Sequence, residues 1–182
     1  IVPDLWALWQ RKTGAEVELK GMDWGIAQAR FADRQAERID TMFRTEQRAQ
    51  RYAFGRPYAA IEVAIFFHRD LAGITDLRTA RGFTIGAKDG DACIERLEAA
   101  GVESIRRFPS YEDLIAQAGQ RHVSVFCMDV PPAVYLLNRA GISGEFRRTA
   151  PIYAGEFHRA VHKDAPQLLE AVERGFDAIL PA

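Results

Sequence analysis

The chain has 182 residues, 48% of them hydrophobic and 27% charged, and a formal net charge of −1. That length and balance suit one large or two small globular domains with buried cores. The near-neutral charge argues against nucleic-acid binding, which draws its affinity from clustered Lys and Arg displacing counterions. Here the bases are mixed with acids, as in Asp33, Arg34, Glu37, Arg38 and Asp40. No apolar run reaches the roughly 18 residues that suggest a membrane span. The chain opens Ile1-Val2-Pro3-Asp4, without a basic start or an apolar signal segment, and is expected to be a mature chain or a piece of a longer one. Two cysteines, Cys93 and Cys127, are too few for a disulfide scaffold. They are expected as buried free thiols, with a single bridge as the alternative in an oxidising compartment.

In chain order, Asp4 to Lys12 places Leu5, Trp6, Leu8 and Trp9 at helical spacing, and Gly14 follows as a stop. Val17-Glu18-Leu19 alternates like a strand. Trp24 to Ala36 reads as a helix, Ile39 to Phe43 as a short strand, and Thr45 to Arg51 as one or two polar helical turns. Ala59 to His68 is the longest strand pattern, rich in β-branched and aromatic residues. A second series follows: strand Phe83 to Gly86, helix Asp91 to Ala100 stopped by Gly101, strand Ser104 to Phe108 and helix Tyr111 to Ala118. Val123 to Met128 has the profile of a fully buried strand, and Pro131 to Ala140 that of a helix with proline in its first turn. An extended stretch from Ile152 to His162 precedes a closing helix from Pro166 to Leu180.

Alternating strands and helices imply an α/β fold with mainly parallel sheets flanked by helices. The late return of a strand and a last helix suggests two lobes. Residues 1–58 and 152–182 would form a discontinuous lobe one, and residues 59–151 a continuous lobe two. Two strands would cross between them, leaving a cleft beyond the carboxyl ends of the strands as the default site. Motifs for catalysis are lacking: there is no Gly-x-Ser-x-Gly elbow, phosphate-loop lysine or dinucleotide fingerprint. His158 and His162 lie four apart on a predicted strand without further ligands, and are expected as surface histidines rather than a metal site.

Four segments, in order, resemble the family 3 extracellular solute-binding proteins, a group with the two-lobed, Venus-flytrap fold of type 2 periplasmic binding proteins. They are Thr45-Glu46-Gln47-Arg48 through Phe54-Gly55-Arg56-Pro57-Tyr58; Ile74-Thr75-Asp76-Leu77 through Asp89-Gly90-Asp91; Tyr111-Glu112-Asp113-Leu114 with Val125 through Pro131; and Tyr153 through Val161. The family's first strand, with an aromatic that walls the pocket, would precede Ile1.

The resemblance implies a role for each of several residues. Arg48 would grip a ligand carboxylate with its planar, two-bond fork, and would be hydrated in the unliganded protein. Asp129 would take the ligand ammonium, although its place before two prolines also suits a plain helix N-cap. Trp24 would stack on the ligand, and Thr41 would lie beside it. Phe43 stands where the family carries a small hydroxyl residue. Asp91 replaces the usual Ser or Thr at a helix start that binds anions, and would cap its own helix and repel an anion.

The segment Asp40 to Thr45 resembles sensor versions attached to histidine kinases or cyclic-dinucleotide enzymes. The implied function is an extracytoplasmic or periplasmic sensor domain of a two-component system or similar signal-transduction protein. It would clamp an amino acid or small carboxylate without cofactor or metal, signal by hinge closure to an attached or docking membrane protein, and could pair as a homodimer through the full-length protein. It would not itself be an enzyme. The alternatives are a transport subunit of an amino-acid ABC system and a cyclohexadienyl-dehydratase-like enzyme using Glu156 or Asp129 as acid.

Overall fold

The computed structural model describes residues 2–179. In chain order its elements are α1 (Val2–Thr13), α2 (Trp24–Ala32), β1 (Arg38–Phe43), α3 (Glu46–Arg51), β2 (Tyr52–Phe54), β3 (Ala59–His68), β4 (Ile85–Lys88) and α4 (Ala92–Ala99). Then come β5 (Ile105–Phe108), α5 (Tyr111–Gly119), β6 (Val125–Asp129), α6 (Val130–Arg139), a 3-10 turn (Ser143–Glu145), β7 (Phe146–Arg148), β8 (Tyr153–His162) and α7 (Pro166–Asp177).

Most elements fall where the patterning puts them, and the departures have physical causes. Val17 to Leu19 is not a strand: no neighbour pairs with it, and the Val17 amide is satisfied by Gln10 Oε1 at 2.7 Å. The helix expected through Ala36 stops at Ala32, and Arg34 follows in the left-handed region at φ 59°. Strand β4 begins two residues later than expected and continues to Lys88. Leu180, the expected end of the last helix, lies outside the described residues.

The eight strands form one mixed sheet in the order β1-β8-β3-β6-β4-β5, with β2 added to β8 and β7 to β3. The expected parallel pairing is found only for β4 with β5 and β6, where helices α4 and α5 provide the long crossovers that parallel neighbours need. The remaining pairs are antiparallel, because β3 and β8 traverse the molecule in opposite directions and everything else adds to them.

These two long strands pair with each other only from Ala59↔Phe157 to Val63↔Tyr153. Beyond that stretch β3 pairs with β6 and β7, and β8 with β1 and β2. Burial follows the same division. Ala59, Ala60 and Glu62 are exposed, whereas Val63 to His68 and His158 to His162 are buried.

Alternation assigns the buried side chains to opposite faces. Val63, Ile65 and Phe67 of β3 join Val125 and Cys127 of β6 in one cluster, which α4 covers with Cys93, Ile94 and Leu97. Ala64, Phe66, Phe126 and Met128 face the other way onto Leu114 of α5 and Leu136 of α6. At the far end of the sheet, Trp6 and Trp9 of α1 pack on Val172 and Phe176 of α7. Phe31, Met42, Tyr52 and Ala160 form a fourth cluster.

The two cysteines are buried as expected but are not free thiols: Cys93 and Cys127 form a disulfide with a Cα–Cα separation of 6.5 Å. Helix α4 lies on the face of β6 that carries Cys127, which brings its first turn within bridging distance.

Candidate functional site

A break in β1 prepares one wall of the site. The register of β1 against β8 shifts between Ile39 and Met42, and Thr41 within this bulge adopts φ 57°. A β-branched residue at positive φ is strained and persists only where its surroundings hold it. Asp40 does so. Its carboxylate accepts from the Thr41 amide at 2.7 Å, from Trp6 Nε1 at 2.6 Å and from the Tyr58 hydroxyl at 2.5 Å. Such bulges re-aim side chains beside sites, and Thr41 lines a cavity.

Arg48 comes from α3, whose N-cap Thr45 accepts the Arg48 amide. The side chain is buried rather than hydrated. Its Nη1 donates to the Phe43 carbonyl at 2.9 Å, its Nη2 donates to the Gly90 carbonyl at 2.8 Å, and its Nε lies 3.9 Å from Glu95. Burial lowers the pKa of the guanidinium, against the pull of the Glu95 and Asp91 charges. The Gly90 carbonyl accepts two more donors, Trp24 Nε1 at 3.1 Å and Gln28 Nε2 at 2.7 Å. Three side chains from the N-terminal segment thus converge on one carbonyl of the β4–α4 turn. Glycine is favoured there: φ is +70°, and an added Cβ would displace the end of the Gln28 side chain.

Across the cavity stand two carboxylates. Asp91 caps α4, its Oδ1 accepting from the Cys93 amide at 3.0 Å, while its Oδ2 accepts from the Tyr111 hydroxyl at 2.7 Å. Lys88 Nζ lies 3.9 Å from that oxygen and 3.8 Å from the centre of the Tyr111 ring. Asp129 ends β6 at the N-cap position of α6, yet its side chain makes no cap hydrogen bond. Its Oδ1 is buried without a partner. Burial first, and then the Asp91 charge, push its pKa up to about 7, against the opposing effects of Lys88 and the nearby Tyr111 hydroxyl.

The structure brings together all six residues singled out from the sequence. Trp24, Thr41, Phe43, Arg48, Asp91 and Asp129 line one cavity of about 120 Å³, which Lys88, Ala92 and Phe157 complete. A larger cavity of about 400 Å³, lined from α2, α3 and α4, shares Arg48 and Asp91. Sequence reasoning missed Lys88 and Gln28, and met Gly90 only as part of the helix start at Asp91. The signal for Lys88 was its place at the carboxyl end of a strand, where open sheets build their sites. The turn-forming Asp89-Gly90 pair marked the other side of the contact.

The histidines depart from expectation. His158 and His162 are buried, 6% and 9% exposed, because their strand runs through the sheet under other elements. His158 Nδ1 lies 2.8 Å from the Gly55 carbonyl, and His162 packs against Phe31 with ring centres 4.4 Å apart and the rings tilted by 34°. Glu156 is largely exposed, 3.8 Å from His158, and does not line the 120 Å³ cavity. Among the described residues no helix is long and apolar enough to cross a membrane.

The fold is shared with solved structures of low sequence identity. A histidine kinase sensor domain with similarity to periplasmic binding proteins superposes with a TM-score of 0.87 at 19% identity, covering 96% of this chain and 77% of that one. An arginine-bound mutant of ArgBP from T. maritima gives 0.85 at 17% identity, covering 99% and 84%. An amino acid ABC transporter substrate-binding protein, AbpA from Streptococcus pneumoniae bound to L-arginine, gives 0.81 at 18% identity, covering 97% and 76%. No curated protein matches the chain in sequence. Residues 1–181 match the profile of the bacterial extracellular solute-binding proteins, family 3, and the chain belongs to that family.

Proposed function

We propose that this domain is an extracytoplasmic sensor that clamps a small polar organic molecule between two lobes, residues 1–58 with 152–182 and residues 59–151, and signals by closing about β3 and β8. The observation that carries the reading is the 120 Å³ cavity, lined by Trp24, Thr41, Phe43 and Arg48 from the first proposed lobe and by Lys88, Asp91 and Asp129 from the second. A ligand held by both sides favours the closed arrangement by its differential affinity for it. The sensor role over a transport role rests on the resemblance of the Asp40 to Thr45 segment to sensor versions, since the fold itself serves both roles. The partner would then be the membrane-attached remainder of the same protein, in which two copies can pair.

Amino acids and small carboxylates define the starting set for a thermal-shift screen, followed by titration calorimetry of the hits. Arg48→Ala and Asp129→Ala should each weaken binding by a few kcal/mol, the order lost when one member of a desolvated charged pair is truncated. Arg48→Lys should also bind poorly, since an ammonium lacks the planar fork. Unchanged affinity in both alanine variants removes the site. Steady turnover of any stabilising compound would instead favour an enzyme.

A further inference from the structure

We infer that the Cys93–Cys127 bridge is a positioning element of the binding site: it ties the start of α4 to the end of β6 and so holds Asp91 and Asp129 together in the wall of the 120 Å³ cavity. The inference rests on the clamp reading above and gives that site a covalent brace.

Each carboxylate sits two residues from a bridged sulfur, in the runs Asp91-Ala92-Cys93 and Cys127-Met128-Asp129. On β6 that spacing puts Asp129 on the same face as Cys127, because successive strand residues alternate. Helix α4 covers this face, with Cys93 in its first turn. On α4 the link is closer still. The Cys93 amide donates to Asp91 Oδ1 at 3.0 Å, so one residue carries both a sulfur of the bridge and the donor that fixes the carboxylate. Both cysteines are fully inside the core, where close packing leaves the two ends little room to shift.

The backbone alone does not fix this arrangement. Strands β4 and β6 pair at Gly86↔Phe126, and both carboxylates lie beyond that pair, at the carboxyl ends of the strands. Charge opposes it as well. The groups facing Asp129 are Asp91 at the start of α4, Lys88 at the end of β4, Tyr111 of α5 and Tyr153 of β8, with Arg48 of α3 lining the same cavity. The Asp91 charge acts against an ionised Asp129, whose Oδ1 has no hydrogen-bond partner. Two such carboxylates stay close only where the structure holds them. Tyr111 gives its hydroxyl proton to Asp91 Oδ2 at 2.7 Å, and a phenol has one proton to give. The bridge is the tie that reaches the chain on both sides.

The test is the titration of Asp129 in the unliganded protein, followed by carboxyl carbon NMR and assigned with Asp129→Asn. In the bridged chain its midpoint should lie at about pH 7. Cys93→Ala with Cys127→Ala should let the first turn of α4 draw away, easing first the burial and then the effect of Asp91. The midpoint should then fall by about one pH unit or more, a change of about tenfold in proton affinity. Asp91→Asn, which keeps a capping oxygen, completes a cycle: it should lower the midpoint in the bridged chain and move it much less in the unbridged one. Phe176→Leu, which loosens the α1–α7 cluster at the far end of the sheet, is the control for stability alone and should leave the midpoint in place. Should the alanine pair unfold, Cys93→Ala with Cys127→Val, which refills the core with a residue suited to a strand, supplies the unbridged protein. A midpoint that stays at about pH 7 without the bridge, an equal effect of Asp91→Asn in both backgrounds, or an equal fall in Phe176→Leu overturns the inference. The readout needs no ligand. A failed ligand screen would remove the clamp reading, whereas an unmoved midpoint removes the brace alone.

Discussion

Asp129 couples the site to the stability of the empty fold. Its folded pKa of about 7 lies above the value of about 4 for an unfolded aspartate. The folded state therefore holds the proton longer. The associated stability is fully present below about pH 4 and is lost as pH rises to about 7, at most on the order of 1.4 kcal/mol for each pH unit between those two values. Asp129→Asn removes that loss, so the variant should melt several degrees above the wild type at pH 8, with the gap closing towards pH 4. Equal melting temperatures at pH 8 would mean that the carboxylate is not desolvated. Gly90 gives a second prediction at this scale. Alanine there is strained at φ +70° and displaces Gln28, so Gly90→Ala should lower the melting temperature by a few degrees and weaken ligand binding. Amide exchange at the β4–α4 turn, faster in the variant, would locate the loss.

The residue types at the site were legible in the sequence where a charge sits at the end of a strand or the start of a helix, as Asp129 and Asp91 do. What Arg48 does with its guanidinium was not legible. Its partners are the carbonyls of Phe43 and Gly90, and any residue can supply a carbonyl, so nothing in the sequence marks it as an acceptor. The reading of His158 and His162 failed for a related reason. Spacing shows that they share a face of a strand, but Phe31 and Tyr52, which cover His162, are more than a hundred residues away.

Among the elements, long apolar or strongly alternating ones were read well and the three-residue strands were not. β3 and β6 announce themselves by ten and five consecutive strand residues. β2 and β7, three residues each, exist because β8 and β3 present free edges for them, which is a tertiary cause. The disulfide joins two well-read elements, α4 and β6, across a sequence separation of 34. A closed loop of that length restrains the unfolded chain by about 3–4 kcal/mol in the chain-entropy account. The double variant Cys93→Ala with Cys127→Ala should accordingly lose roughly 6–15 °C in melting temperature for a chain of this size. A loss below a degree or two would show that the bridge contributes little beyond packing.

At the scale of the whole molecule, the α/β class and the order of the elements followed from composition and periodicity, whereas the sheet's mixed pairing did not. A strand's sequence does not record the direction of its neighbour, and β3 and β8 each change neighbours along their length. That exchange would give the proposed clamp its mechanical basis, because hinges are built from a few residues at the ends of elements. The stretch pairing Ala59–Val63 with Tyr153–Phe157 is the part of these strands that helices leave most exposed. The most direct test is the distance between the two proposed lobes in solution. Spin labels on Lys12→Cys and Arg139→Cys, both exposed positions, report it by double electron–electron resonance. A ligand that stabilises the fold should shift the distribution towards a single shorter distance in the otherwise wild-type chain and leave it unchanged with Asp129→Asn. An identical distribution with and without saturating ligand would contradict closure by a bridging ligand.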